Sequence, residues 1–428
     1  MMEGRPIPNW LKQLLAIIGF VWAGLGLVVS CALWAAAFVL LLDKESGAAG
    51  LSLLALIVFG LTVGSGGPLV WHSLQSLAGT RSRPLVLPPV RFLAGLYGLV
   101  IVGGSIGLRN DLASVLLWPP SAVVGGTLLS LAAVSWISCR RFGQLTWRQG
   151  VVAFLGSAVV SLGVIITLEI ILAGLLALFS PQPVERWVEG LAWLEDVVTG
   201  ATVANATEFD LAVIVLQLAL FVPLLGTLAK SLVPLPLLGR LSRREAFLIG
   251  SLAGAGYAAV ESSLLISLGL RTWTVLLVLV AMGATVHPLG GGLVAVGWQQ
   301  ILRRRAGAGL GWLARFGVAL SLNSLWNLGL LVILMVTETG PVAVHAGLME
   351  SGYWVPVLLS LMFLVGLGLV SSLAGRSTAL YLAGEVEDMI REREAFRFTV
   401  PDSSLAVWAL AGLAVIVPTG IVVLRLLN

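Results

Sequence analysis

Four ionisable side chains lie well inside long apolar runs of this sequence: Glu169, Lys230, Glu261 and His287. A charged side chain at the centre of a bilayer costs roughly 2.5–3.5 kcal/mol on insertion scales, so such a residue needs a partner or a function. Glutamate and histidine both ligate zinc, and all four residues together could relay protons. These residues define the candidate site.

Two of them are predicted to reach the same depth on neighbouring antiparallel helices. Glu261 and His287 each lie about fifteen residues, at 1.5 Å per residue, from the end that the topology below places in the cytoplasm. Asn323 and Asn327 reach a comparable depth in the next helix, on one face. Lys230 could extend to the membrane surface or pair with Glu261. Pairing with Lys230 and metal binding are therefore competing explanations for Glu261.

The elements that must position these residues are membrane helices. The chain is 58% hydrophobic and 11% charged, whereas soluble domains carry about 25% charged residues. Apolar runs of about 18 residues or more are read as membrane helices. A strand is excluded because lipid offers no hydrogen-bond partner to the backbone N–H and C=O groups of an unpaired strand. We count eleven such runs: 14–42, 51–71, 91–108, 113–137, 151–180, 209–238, 246–269, 273–302, 313–336, 353–375 and 405–427.

Basic residues recur in every second loop between these runs. The clusters are Arg81 and Arg83, Arg140 and Arg141, Arg243 and Arg244, and Arg303, Arg304 and Arg305. Because basic loops stay in the cytoplasm, the pattern predicts a cytoplasmic N-terminus and an external C-terminus. We therefore predict an all-α polytopic membrane protein in a prokaryotic plasma membrane, with the lipid bilayer as its first partner.

The charge and the cysteines exclude two other classes. The net charge of +4 resides in short loops between apolar runs, so no nucleic-acid partner is predicted. Cys31 and Cys139 give neither a zinc spacing nor a disulfide framework.

The predicted spans divide into four regions. Residues 1–180 form five helices without a motif that we recognise, and 181–208 form an external loop with an amphipathic, tryptophan-bearing stretch. Residues 209–336 hold most candidate residues in four helices. Residues 337–428 contain two helices and a charged cytoplasmic loop at 376–404.

The four-helix core carries motifs in a fixed order. They are PLLGTLAK at 223–230, GAGYAAVES at 254–262, GATVHPLGGG at 283–292 and LNSLWNLG at 322–329. This order and spacing resemble the PrsW family of intramembrane metalloproteases, relatives of the CAAX-type membrane endopeptidases. That family has a Pro-x-x-Glu-Glu-x-x-Lys helix, a Gly-x-Gly-Phe-Ala-x-x-Glu-Asn helix, a mid-membrane histidine, and a helix ending in His-x-Leu-Trp-Asn.

The residue-by-residue match is partial. The residues that agree with the family are Pro223, Lys230, Glu261, His287, Trp326 and Asn327, and Tyr257 supplies the aromatic residue before the glutamate. Gly226 and Thr227 occupy the paired-glutamate positions, Ser262 replaces an asparagine, and Asn323 replaces the last histidine.

The resemblance implies a zinc site and a transmembrane protein substrate. Hydrolysis at zinc needs about three protein ligands, an open position for water and a general base. Glu261 and His287 would be two ligands, and Asn323 a weak third, because a neutral amide oxygen suits zinc poorly. Lys230 and Asn327 would support the site.

The general base is the part that the sequence lacks. Neither Gly226 nor Thr227 can accept a proton near neutral pH. Glu169 in the fifth span could replace the missing carboxylates only if its helix abuts the core.

Three functions follow from these residues. The first is a pseudoprotease that keeps the helical core and binds a membrane partner or lipid without cleaving it. The second is an active zinc-dependent intramembrane protease. The third is a proton- or ion-coupled transporter that uses Glu169, Lys230, Glu261 and His287 as a relay.

Overall fold

A computed structural model gives the architecture. It describes residues 8–42, 48–80, 82–107, 111–139, 145–160, 163, 215–239, 241–268, 273–345 and 354–384. Within these residues the chain is helical, and β-type pairing is limited to one isolated antiparallel bridge between Pro84 and Thr146.

The helices are numbered in chain order. They are α1 Asn9–Leu42, α2 Ala48–Leu77, α3 Val90–Gly107, α4 Asp111–Ser138, α5 147–160, α6 Val222–Leu232, α7 Leu235–Leu238, α8 Arg243–Leu268, α9 Trp273–Met282, α10 Val286–Leu302, α11 Ala308–His345 and α12 Trp354–Gly384. A π-helical turn, Gln217–Phe221, leads directly into α6.

Six described stretches are long and apolar enough to cross a membrane. They are Asn9–Leu42, Leu54–Leu77, Pro120–Ser138, Leu276–Leu302, Ala308–Ile333 and Leu358–Ala383. Two shorter apolar helices, Val90–Ile106 and Ala219–Leu232, fall on further predicted spans. The chain is therefore a helical membrane protein. The loop at 181–208 that we predict to be external, the last predicted span at 405–427 and most of the charged loop at 376–404 lie outside the described residues.

Helix α8 is enclosed by its neighbours along most of its length. It packs against α4 on one side and α10 on another, and its residues from Ala246 to Ala259 are buried. Glycines allow α8 to approach its neighbours closely. A Cβ at Gly254 would overlap the His287 carbonyl oxygen, and a Cβ at Gly256 would overlap the Phe154 carbonyl oxygen. Small residues let helix backbones meet closely in lipid. This packing fixes the position of Glu261 on the same helix.

The eighth predicted span, 273–302, is not one continuous helix. It breaks at residues 283–285, where the amides of Gly283 and Val286 donate to carbonyls three residues earlier. Pro288 explains the break, since its ring opposes the carbonyl four residues before it and it has no N–H to donate. Thr285 donates to the Gly368 carbonyl of α12 at 3.2 Å and so anchors the break.

The sixth predicted span is also irregular. Its π-helical turn ends at Phe221, two residues before Pro223. Proline removes one helical hydrogen bond, and a π-bulge accommodates the resulting shift in register. Both irregular spans lie beside the candidate site.

A buried arginine joins the loop after α2 to the start of α5. Arg148 is 5% exposed, and its guanidinium donates to Gln75 Oε1 at 2.8 Å and to Thr80 O at 2.6 Å. These acceptors are neutral, and burial lowers the pKa of Arg148 below its usual value. The Arg148 amide also donates to Ser82 Oγ at 3.3 Å, next to the Pro84–Thr146 bridge.

Candidate functional site

Four helices bring the predicted site residues into one cluster. Lys230 comes from α6, Tyr257 and Glu261 from α8, His287 from the first turn of α10, and Asn323 from α11. The spacing of Tyr257 and Glu261, four residues apart, places both side chains on one face of α8. The break before α10 puts His287 at a helix start, opposite that face.

Glu261 and His287 are in direct contact. Glu261 Oε2 lies 2.6 Å from His287 Nε2. The Tyr257 hydroxyl donates to the other carboxylate oxygen, Oε1, at 3.2 Å. Among the described residues each carboxylate oxygen thus has one partner. The Glu261 side chain remains 28% exposed, while that of His287 is 6% exposed.

Lys230 lies behind the imidazole. Its Nζ is 3.4 Å from His287 Nδ1 and 5.0 Å from the centre of the Tyr257 ring, and the residue is 1% exposed. The Tyr257 and His287 rings are 5.1 Å apart. If the ammonium donates to Nδ1, the imidazole carries its proton on Nε2 and donates it to Glu261. The arrangement is a charge-compensated row of lysine, histidine and glutamate.

The paired-glutamate positions contact the same cluster. A Cβ at Gly226 would lie 2.5 Å from the Tyr257 hydroxyl, so this tyrosine fills the space that a side chain there would need. Thr227 accepts a hydrogen bond from Asn323 Nδ2 at 2.9 Å. Asn323 is 2% exposed, and within the described part of the chain its Oδ1 has no hydrogen-bond partner.

The described residues offer only part of a zinc site. No group of three His, Cys, Asp or Glu side chains clusters within the described ranges. Glu261 and His287 are two suitable ligands, but they bond to each other, and the amide of Asn323 is bonded to Thr227. Glu169 lies outside the described residues. A catalytic zinc needs about three protein ligands, so these residues alone do not complete one.

A cavity of about 200 Å³ opens beside the row. Glu261 and His287 form its polar wall, and residues of α4, α8, α9 and α11 enclose the rest. These include Leu129, Ser130, Ser262, Leu265, Trp326 and Asn327. The two helix irregularities also border it, through Val222 after the π-helical turn and Gly283 at the break. The cavity is therefore largely apolar with one acidic wall.

Two features of the site were not predicted from the sequence. One is the hydroxyl of Tyr257, which was considered only as an aromatic ring. The other is the contribution of α4, a helix of the N-terminal region, through Leu129 and Ser130. No local motif distinguishes Ser130, because a single serine in an apolar helix is common, so only helix packing reveals its role.

No family model, curated protein or solved structure matches this chain.

Proposed function

We propose that this chain is a membrane protein with a PrsW-like core that binds a membrane-embedded ligand or partner without hydrolysing it. In this proposal the protein lies in a prokaryotic plasma membrane with eleven spans and a cytoplasmic N-terminus. The observation that supports it best is the row of Lys230, His287 and Glu261, in which protein groups satisfy the atoms that a metal would otherwise take.

The surroundings of the row support the same proposal. Gly226 abuts the Tyr257 hydroxyl, so the helix that would carry the general base has no room for a carboxylate there without a shift of Tyr257. Thr227 is engaged with Asn323. Binding can persist after chemistry is lost, because packing and cavity shape do not require the missing carboxylates.

Metal analysis of the purified protein tests this function. We expect zinc at background level in the wild type and in Glu261→Gln and His287→Ala, with Ser263→Ala as a control that leaves the row intact. About one zinc per wild-type chain, lost in both variants and kept in the control, would overturn the proposal. That result would favour the alternative of an active zinc-dependent protease, with the third ligand or the base supplied from outside the described residues.

One observation favours a second candidate, a proton- or ion-coupled transporter. Two interrupted spans, at 217–221 and 283–285, border the cavity next to Lys230, Glu261 and His287. Transporters place coupling sites at such interruptions near the bilayer midplane. Proton flux into liposomes that contain the protein, lost in Glu261→Gln and kept in Ser263→Ala, would establish this function. Wild-type flux equal to that of empty liposomes would exclude it.

A further inference from the structure

The cavity wall is chemically asymmetric. Its acidic side is Glu261, which keeps lone pairs on both oxygens beyond the bonds from Tyr257 and His287. Lys230 is 1% exposed, lies behind His287 and does not line the cavity. Glu261 therefore offers a molecule in the cavity a hydrogen-bond acceptor.

Two hydroxyl groups and the amide of Asn327 also line the cavity. Ser130 is 2% exposed and lines the cavity from α4. Ser262 also lines the cavity, next to Glu261 in the sequence. Each hydroxyl can donate or accept one or more hydrogen bonds. A ligand with a polar end therefore finds hydrogen-bonding groups near Glu261.

The size of the cavity restricts the shape of that ligand. An apolar cavity of about 150 Å³ is enough for a benzene-sized molecule, so the cavity of about 200 Å³ accommodates a small apolar molecule or part of an alkyl chain. An unbranched alkyl chain is narrow enough to enter such a space.

We propose that this cavity binds one extended alkyl chain from the lipid phase that ends in a hydrogen-bond donor, a hydroxyl or an amine. The donor bonds Glu261, with Ser130 and Ser262 beside it, and the chain lies among Leu129, Leu265 and Trp326. A carboxylate end is disfavoured, because like charges meet without screening in an apolar cavity. The inference rests on the proposed binding function of the same site.

Photo-crosslinking in nanodiscs tests the inference with the full chain. The probes are octanol, octylamine and octanoate, each with a diazirine at the far end of the chain, and labelled peptides are mapped by mass spectrometry. We expect octanol and octylamine to label the peptides around Leu129 and Leu265 about tenfold more than octanoate. Equal labelling by octanoate would overturn the proposal.

Variants of α4 locate the binding site. Ser130→Phe fills the cavity and is expected to abolish labelling, whereas Val124→Phe, on the same helix at 47% exposure, is expected to leave it unchanged. Labelling of Ser130→Phe at the wild-type level contradicts the proposal. Excess unlabelled octanol supplies a test that needs no variant, and it should remove labelling from these peptides.

Two further outcomes separate this inference from its alternatives. Protection of the same peptides by a synthetic polyleucine transmembrane peptide, without protection by octanol, would show a helix-binding site and overturn the proposal. If the purified protein contains about one zinc and the octanol probe still labels these peptides, only the proposed loss of hydrolysis is overturned. If zinc is at background level and the octanol probe labels neither peptide, only the alkyl-chain inference is overturned.

Discussion

Tyr257 links the other members of the polar site. Its hydroxyl donates to Glu261, its ring lies against His287 and under Lys230, and its oxygen fills the space beside Gly226. One side chain thus orients the carboxylate and takes the place of a residue on α6. The contributions of the hydroxyl and of the ring to stability can be measured separately, because replacing Tyr257 by phenylalanine removes the hydroxyl and keeps the ring.

The first prediction separates them. Tyr257→Phe is expected to lower the free energy of unfolding by about 1 kcal/mol, because one buried hydrogen bond to Glu261 is lost. Tyr257→Ala is expected to cost about 3–5 kcal/mol, because the ring is also lost. Denaturant titration in mixed micelles measures both. Tyr381→Phe, at a residue 71% exposed, is the control, and equal effects of the two Tyr257 variants would contradict this reasoning.

At the scale of the helices, the break between α9 and α10 determines where His287 lies. Had residues 273–302 formed one helix, His287 would sit in mid-helix, whereas here it lies in the first turn of α10, in contact with Glu261. Gly283 lies at the break against the indole of Trp326. The sequence indicates the cause, Pro288, but apolar periodicity alone predicts an uninterrupted span.

The second prediction concerns this glycine. Gly283→Leu is expected to destabilise the protein by at least about 1–3 kcal/mol, because a Cβ there meets the Trp326 ring in a packed region. Gly317→Leu, on α11 where a Cβ would meet no atom within 4 Å, is expected to change stability little. Free energies of unfolding in micelles give the comparison. A cost at Gly283 no greater than at Gly317 would show that the break is not closely packed.

At the scale of the whole molecule, helices of the N-terminal region pack against helices of the four-helix core. Ser263 of α8 donates to the Ala259 carbonyl of its own helix and lies 3.4 Å from the Ala122 carbonyl of α4, and Tyr97 of α3 donates to the Leu277 carbonyl of α9 at 2.7 Å. Gly126 allows α4 to approach the Ala259 carbonyl. The regional division at residue 180 therefore does not separate α4 from the site that it encloses.

A third prediction tests this contact. A Cβ at Gly126 would lie 2.8 Å from the Ala259 carbonyl and 2.9 Å from Ser263 Oγ, so Gly126→Leu is expected to speed hydrogen exchange in α8 as well as in α4. Gly103→Leu on α3, where a Cβ would meet nothing within 4 Å, serves as the matched control. Exchange that rises in α4 alone would mean that the two regions are energetically independent.

The fourth prediction tests the orientation. Cys139 follows α4 at the end that the arginine pattern places in the cytoplasm, and Cys31 lies within α1. In a Cys31→Ala background, a membrane-impermeant maleimide should label Cys139 in inverted vesicles and leave it unlabelled in intact cells. Labelling in intact cells would reverse the predicted topology.

Much of the site could be predicted because membrane burial makes polar residues conspicuous. Glu261 and His287 stand out in apolar runs, and a helix rise of 1.5 Å per residue puts them at one depth. The direction of Lys230 could not be predicted, because a lysine at its depth can extend to the surface or pair inside. The structure shows it buried against His287.

The amino-acid sequence by itself determined that this chain forms apolar helices and that four ionisable groups lie within its apolar runs, because composition and hydropathy depend only on the order of residues. The tertiary structure alone decided which of those groups meet. Contacts such as Glu261 with His287, Asn323 with Thr227, and α4 with the cavity depend on how helices far apart in sequence pack. That packing follows from glycines, side-chain shapes and helix breaks acting together, and no single stretch of sequence encodes it.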